Sequence, residues 1–213
     1  MARPRAEDRI DIPGEAVAAM IALAAERGLA HVTLADVAAR VGCRAPALYR
    51  YFRNKDALVR AVHDEGFARL YAYKIEADEA SRGDPLARLR LGGVAYVRFA
   101  LENPALYAVM FGPGAEAPAE GAEGSPFDRD PALKALRFLK ESVARVQALG
   151  YLPGRDPGDV AFLLWSCVHG VAALTLQNRT PIEAEARVRD PRAQAEAVVD
   201  GIMALIAGTR APA

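Results

Sequence analysis

A chain of 213 residues, 52% apolar and 25% charged, has the proportions of a globular protein with one substantial core or two modest ones, which excludes bulk disorder. Its 27 basic and 27 acidic residues cancel, so a case for nucleic-acid binding has to rest on local clustering. The two cysteines, Cys43 and Cys167, lie far apart in the chain, which excludes a disulfide-rich scaffold and a cysteine-built zinc site.

Arg3 and Arg5 open the chain with no apolar stretch behind them, so no signal peptide is expected. Val17, Met20, Ile21 and Ala24 recur at helical spacing, Pro13 suits a first turn and Gly28 a stop, which predicts a helix over about 13–27. Thr33-Leu34-Ala35-Asp36 has the pattern of a capping box and opens a second helix that ends before Gly42. A short third helix is expected over 45–51, and Asn54 caps a fourth that runs past Phe67 towards Ala80. Beyond Gly83-Asp84-Pro85, helices are expected over about 85–102 and 104–111. Gly112 to Pro126, rich in Gly, Pro, Ala and Glu, predicts a mobile loop. Helices follow over about 130–149, 157–178 and 191–207. The apolar run Val160–Leu176 contains His169 and falls short of the ~20 residues that cross a bilayer. It reads as a helix buried all round rather than a membrane span. Runs of alternating β-branched residues are missing, so the expected fold is all-α, with about nine helices. They divide into an N-terminal three-helix unit, 1–55, and a larger helical body, 56–213.

The chemistry concentrates between Thr33 and Lys55. Two short helices flank Gly42-Cys43-Arg44, the tight break that a helix-turn-helix requires. Leu34, Val37, Ala38, Val41, Cys43, Leu48 and Phe52 are expected inside. Arg44, Ala45, Pro46, Tyr49 and Arg50 fall on the outer face of the third helix. Arg40, Arg44, Arg50, Arg53, Lys55 and Arg60 face a single anion, Asp56, in that stretch, a local excess of cations of the kind phosphate contact needs. The hydroxyls of Tyr49 and Tyr51 add donors, and Lys55 sits at a helix start that itself favours a phosphate. The competing reading is a solvated basic face on a structural three-helix unit.

The run from Thr33 to Leu58 resembles the DNA-binding domain of the TetR family, with Gly42, Leu48-Tyr49, Phe52, Lys55 and Leu58 at the family's spacing. The resemblance implies a homodimeric, ligand-responsive transcriptional regulator, most often a repressor, acting on double-stranded DNA; a cytoplasmic location is expected from the missing signal peptide and membrane span. It also implies that Thr33, Tyr49, Tyr51 and Lys55 hold phosphates while Arg44, Ala45 and Pro46 face the major groove. Arg44 stands where a small polar residue is usual, Pro46 where glycine is common and Tyr51 where histidine is common. Arg44 suits either a guanine, read bidentately, or a phosphate.

In the second half, Trp165, His169 and Gly170, with Asn103-Pro104-Ala105-Leu106-Tyr107 leading to Met110-Phe111, resemble the Trp-His-Gly type of TetR C-terminal domain. Trp165 and His169 share a helix face. Tyr96, Phe99, Tyr107, Met110, Phe111, Phe138, Phe162, Trp165 and His169 are the candidate lining of an effector site, against the alternative of ordinary core packing. The expected effector is a largely apolar small molecule. Val160, Leu164, Val168, Val171, Val198, Ile202, Leu205 and Ile206 are the candidate dimer interface, two helices from each subunit forming a four-helix contact.

No metal site is expected, because His31, His63 and His169 share no ligand spacing, and no cofactor is implied. The sequence lacks GxSxG, HExxH and Walker A patterns, which argues against an enzyme. No membrane partner is expected. The alternative is a helical dimeric interaction module that does not bind DNA.

Overall fold

The computed structural model describes residues 11–112, 131–177 and 190–210, so the Arg3–Arg5 arm and the Gly112–Pro126 segment beyond Gly112 lie outside the described residues. Those described form nine α-helices and one 3-10 turn, with no strand among them. The helix starts follow from side chains that accept otherwise unpaired backbone N–H groups. Asp11 accepts the Gly14 N–H at 3.3 Å and opens α1 (Ile12–Arg27), which holds Pro13 in its first turn. The Leu29–His31 3-10 turn leads to α2 (Leu34–Val41) and α3 (Ala45–Tyr49), shorter than the sequence predicts because Arg50 and Tyr51 continue only as a turn. Asn54 Oδ1 accepts the Ala57 N–H at 2.9 Å at the head of α4 (Lys55–Ala80). Asp84 does the same for Leu86, at 2.8 Å, ahead of α5 (Pro85–Glu102). The remaining helices are α6 (Pro104–Phe111), α7 (Pro131–Gln147), α8 (Pro157–Leu176, capped by Asp156) and α9 (Pro191–Ala207).

The chain divides into two compact units, and the boundary falls inside α4, between Gly66 and Phe67. The first unit holds α1 to α3, the start of α4, and α6 from Ala105. Met20, Val32, Val37, Leu48, Leu58 and Val62 are fully buried there, each contributing about 1.5–3 kcal/mol of transfer free energy. Gly66 permits the close approach of α6 within this unit. A Cβ at that position would stand 2.4 Å from the sulfur of Met110, inside any real contact.

In the second unit α5 packs against α7, α8 and α9, while α7 packs on α8 and α8 on α9. Leu89, Val143, Val146, Val160, Ala161 and Ile206 form one core cluster there, and Phe99 and Val97 are buried further along α5. Arg90 ties α5 to α9 through two bonds to Asp200, at 2.6 and 3.1 Å.

The structure corrects the reading of 160–176. Helix α8 is 20 residues long and is apolar and long enough to cross a membrane by length and composition. It is not buried all round either. Val160, Ala161, Val168 and Ala172 face the core, but Phe162 and Leu163 are 62% and 61% exposed and Leu174 is exposed beside them. Among the described residues this helix has one side on the core and another exposed.

Candidate functional site

The link from α2 to α3 is fixed by backbone chemistry. Gly42 adopts φ 78°, ψ 23°, a left-handed conformation that a side chain would strain. Its N–H donates to Ala39 O at 3.2 Å and the next N–H, of Cys43, donates to Ala38 O at 3.0 Å. This double closure ends α2 and sends the chain off at a fixed angle. Pro46 then sits in the first turn of α3, and Leu48 points inward with no exposed surface. Leu34, Val37, Ala38 and Phe52 are likewise buried, whereas Val41 and Cys43 are half-buried.

The opposite side of α3 is left to solvent. Arg44, Pro46, Tyr49, Arg50 and Tyr51 are exposed and Ala45 is half-buried. Tyr49 and Tyr51 hold 54% of their surface in water, although a tyrosine ring gains more from burial than from hydration. Arg53 and Arg60 are exposed nearby.

Three of the predicted cations and hydroxyls have partners already. Arg40 donates two bonds to the Glu26 carboxylate, at 2.7 and 2.9 Å, so the local excess of positive charge is smaller than the sequence suggests. Lys55 Nζ donates to Leu29 O at 2.6 Å and Ala30 O at 3.3 Å, clamping the 3-10 turn and leaving one of its three protons for an outside oxygen. The Thr33 hydroxyl accepts from the Asp36 N–H at 3.2 Å and donates to Asp36 Oδ2 at 2.6 Å. Asp36 Oδ2 also accepts the Thr33 N–H, at 2.8 Å, and pairs with Arg27 at 2.9 Å. The Thr33 hydroxyl and N–H, with Arg27, hold the Asp36 carboxyl down at about 2. Thr33 is therefore a helix cap first.

The second unit contains a small cavity of about 40 Å³, enough for a few waters. Its apolar wall comes mainly from α8 and α9, through Leu164, Trp165, Val168, Val199, Ile202 and Met203. Tyr96 of α5 and Phe138 of α7 close another side. Trp165 Nε1 donates to the Tyr96 hydroxyl at 3.2 Å, and that oxygen stands 3.0 Å from His169 Nδ1. Burial holds the imidazole below the usual histidine range, so it is neutral near pH 7 and its Nδ1 suits the tyrosine proton.

Two cations line the same cavity, and sequence reasoning missed both. Lys74 is 6% exposed, with Nζ 5.7 Å from the centre of the Tyr96 ring and 6.0 Å from that of Phe138. Burial alone pushes its ammonium down to about 8. Arg88 is 4% exposed and stacks its guanidinium 4.1 Å from the Phe138 ring centre. Its Nε lies 3.0 Å from Asp78 Oδ1, off the line of a hydrogen bond, and its Nη1 is buried without a hydrogen-bond partner. The signal available in the sequence was a charged residue at an inward helical position.

Of the residues expected to line an effector site, Tyr96, Phe138 and Trp165 do line this cavity, and His169 joins them through Tyr96. Phe99 is buried against Tyr73 instead, and Phe162 stands outward on α8. Tyr107, Met110 and Phe111 belong to the first unit, not to this cavity. Of the residues expected at a dimer contact, Val160, Val168 and Ile206 are buried within the chain. Leu164, Val171 and Ile202 are half-buried, and Val198 and Leu205 are exposed, Leu205 to 76%. Phe162, Leu163 and Leu174 extend that exposed apolar surface and were not among the expected contact residues. Among the described residues no group of three or more His, Cys, Asp or Glu is placed to hold a metal ion.

Comparison with known proteins agrees with this layout. Residues 17–62 match the model for bacterial regulatory proteins of the tetR family. Residues 89–202, more than half of the chain, match the tetracyclin repressor-like C-terminal domain, a match that does not fix a Trp-His-Gly subtype. The nucleoid occlusion factor SlmA of Aliivibrio fischeri (strain MJ11) is 34% identical over 116 residues, covering 53% of this chain and 56% of that protein. The chain thus spans little more than half the length of the curated relatives it matches. A protein of unknown function from Rhodococcus sp. RHA1 superposes with a TM-score of 0.76 at 22% identity, covering 96% of this chain and 100% of that one. The regulator PfmR from Thermus thermophilus gives 0.62 at 21% identity, with 92% and 98% covered. These structures establish the shared all-α fold.

Proposed function

The chain belongs to the TetR family of bacterial regulatory proteins, and from that premise we propose that it is a cytoplasmic, homodimeric repressor released from a near-palindromic operator by a small, largely apolar effector. A helix-turn-helix DNA-binding regulator is what the family provides. The observation that carries the finer reading is the exposed surface of α3 and its flanking turns, where two tyrosine rings and two arginines stand in water beyond a rigid glycine turn. In this reading residues 1–55 read DNA, and residues 56–213 bind the effector and dimerise. Tyr49, Tyr51, Arg50 and the remaining proton of Lys55 contact phosphates, and the Thr33 N-terminal turn approaches one. Arg44, Ala45 and Pro46 face base edges.

The exposed apolar side of α8 and α9 supports a second copy as the occupant. Phe162, Leu163, Leu174, Val198 and Leu205 are contributed by two neighbouring helices, a surface suited to a four-helix contact. A lipid-facing α8 is disfavoured, because its other side is committed to the core cluster. An effector in the cavity acts by preferring a dimer whose two α3 helices no longer match successive half-sites, and shifts the equilibrium only by that preference.

The test is duplex binding by fluorescence anisotropy across a salt series. Affinity falling steeply and linearly in log salt, and weakening when Tyr49 is replaced by alanine, is expected. A folded dimer with no salt-dependent binding supports instead an interaction module that does not touch DNA.

A further inference from the structure

We propose that the cavity of the second unit is a carboxylate site, and that the effector is a monocarboxylic acid with a compact aliphatic or aromatic body whose anionic head lies between Lys74 and Arg88. The proposal rests on the reading of that cavity as the effector site.

An ammonium taken out of water is costly unless an opposite charge or several acceptors replace its hydration. Lys74 is almost entirely buried, and what it faces is the flat of two aromatic rings, which replace only part of that hydration. Arg88 is buried as deeply, and Asp78 serves one edge of its guanidinium while Nη1 goes without an acceptor. Both cations lie against the Phe138 ring and line the same cavity. Asp78 and Glu141 offset Arg88 and Arg145, and among the described residues no carboxylate answers Lys74, so the cavity is short of one negative charge.

The remaining polar groups narrow the ligand. The Ser142 hydroxyl donates to Phe138 O at 2.8 Å, and the Tyr96 hydroxyl is engaged with Trp165 and His169. Among the described residues lining the cavity the unsatisfied donors are therefore the Lys74 ammonium and Arg88 Nε and Nη1, whose N–H groups suit the oxygens of a carboxylate. A phosphate dianion would bring two negative charges where one is wanting. A cationic ligand would meet like charge. A neutral apolar ligand would strip Lys74 of any water that reaches it. The opposite wall, built from Leu164, Val168, Val199, Ile202 and Met203, takes an apolar body. The space now open is small, so the body enters by parting these side chains, of which Met203 is the most adaptable.

Trp165 is the chain's single tryptophan and lines the cavity, so its fluorescence reports occupancy directly. The full chain is titrated with benzoate, phenylacetate, hexanoate and octanoate, and in parallel with the four corresponding amides, which keep the shape and lack the charge. At least one acid is expected to saturate the signal with a Kd ten-fold or more below that of its amide. Lys74→Met should bring acid and amide within about two-fold of each other, while Lys74→Arg keeps the preference for the acid. Circular dichroism confirms that each variant is folded, and Arg88→Lys provides a second route should Lys74→Met fail to fold. That variant keeps the charge but loses the guanidinium fork, and should weaken acid binding while leaving amide binding in place. Equal binding of acid and amide in every pair overturns the proposal, as does an undiminished preference in Lys74→Met or the absence of any saturable response. Duplex binding, measured separately, distinguishes failure of the carboxylate site from failure of the DNA-binding reading. Acid binding without DNA binding keeps the site and refutes the regulator. DNA binding without acid binding does the reverse.

Discussion

The two units place their polar groups in opposite ways. In the first, Arg44, Tyr49, Arg50 and Tyr51 stand outside on a five-residue helix and the turn that follows it, while the core holds no buried cation among the described residues. In the second, Lys74 and Arg88 are turned inward on a cavity, and large apolar side chains such as Phe162 and Leu205 are left outside. Groups held in water without a folding benefit suit a macromolecule that arrives from outside. Charges held in the interior at a folding cost suit a small ligand that enters. The contrast supports the proposal of a different kind of partner for each unit, and it can be broken at several points.

The largest effect is expected from the outward apolar face. Phe162→Glu combined with Leu205→Glu should turn the dimer into a folded monomer, because a carboxylate in a desolvated contact is strongly unfavourable while both positions are exposed in the single chain. Sedimentation equilibrium should report the monomer, and operator affinity should fall by about 100-fold or more with helical content unchanged. A variant that remains dimeric would place the contact elsewhere.

Next in size is the buried ammonium. The folded pKa of Lys74, about 8, lies below the ordinary lysine value, so between the two the unfolded chain binds more protons and stability must rise with pH. The penalty, about 3 kcal/mol in full below pH 8, fades as pH climbs towards the unfolded value. Urea denaturation of the ligand-free protein should show the wild type gaining on Lys74→Met between pH 8 and 10, the variant being the more stable at pH 7. Parallel curves would mean that the ammonium is better solvated than its burial implies.

Smaller changes are expected on α3 and its neighbours. Tyr49→Ala should weaken binding about ten-fold on every sequence, whereas Arg44→Ala should relax preference at one base pair by about 1–3 kcal/mol if the arginine reads a guanine. Uniform loss with Arg44→Ala would make it a phosphate contact. Lys55→Ala should lower both the salt slope, by about one unit, and the melting temperature, since the side chain also ties down Leu29 and Ala30. Smallest is the cap. Thr33→Ala should cost about 1 kcal/mol in thermal denaturation. The depressed Asp36 pKa adds stability that is complete above pH 4 and lost as pH falls towards 2, and that acid sensitivity should shrink in the same variant.

Local chemistry explains which parts of this were legible in the sequence. Helix starts at Thr33, Asn54 and Asp84, and the break at Gly42, depend on residues within three positions of each other, so spacing alone exposes them. The inward set Leu34, Val37, Leu48 and Phe52 was legible for the same reason. Pairings between distant positions were not. Counting charges around Arg40 and Lys55 cannot reveal that Glu26 neutralises one and that the carbonyls of Leu29 and Ala30 hold the other. Residue type misled at Phe162, an aromatic side chain that faces outward, and hid Lys74 and Arg88, because charged residues on a helix ordinarily face solvent. Which face of a helix is inward depends on neighbours that a single periodicity does not identify.

The most direct test of the central claim is a selection of bound sequences from a random duplex pool, with purified protein at moderate salt. The account predicts enrichment of a two-fold symmetric motif whose half-sites lie one or more helical turns apart, and its loss in Tyr49→Ala. Recovery at background from protein that is folded and dimeric would contradict it.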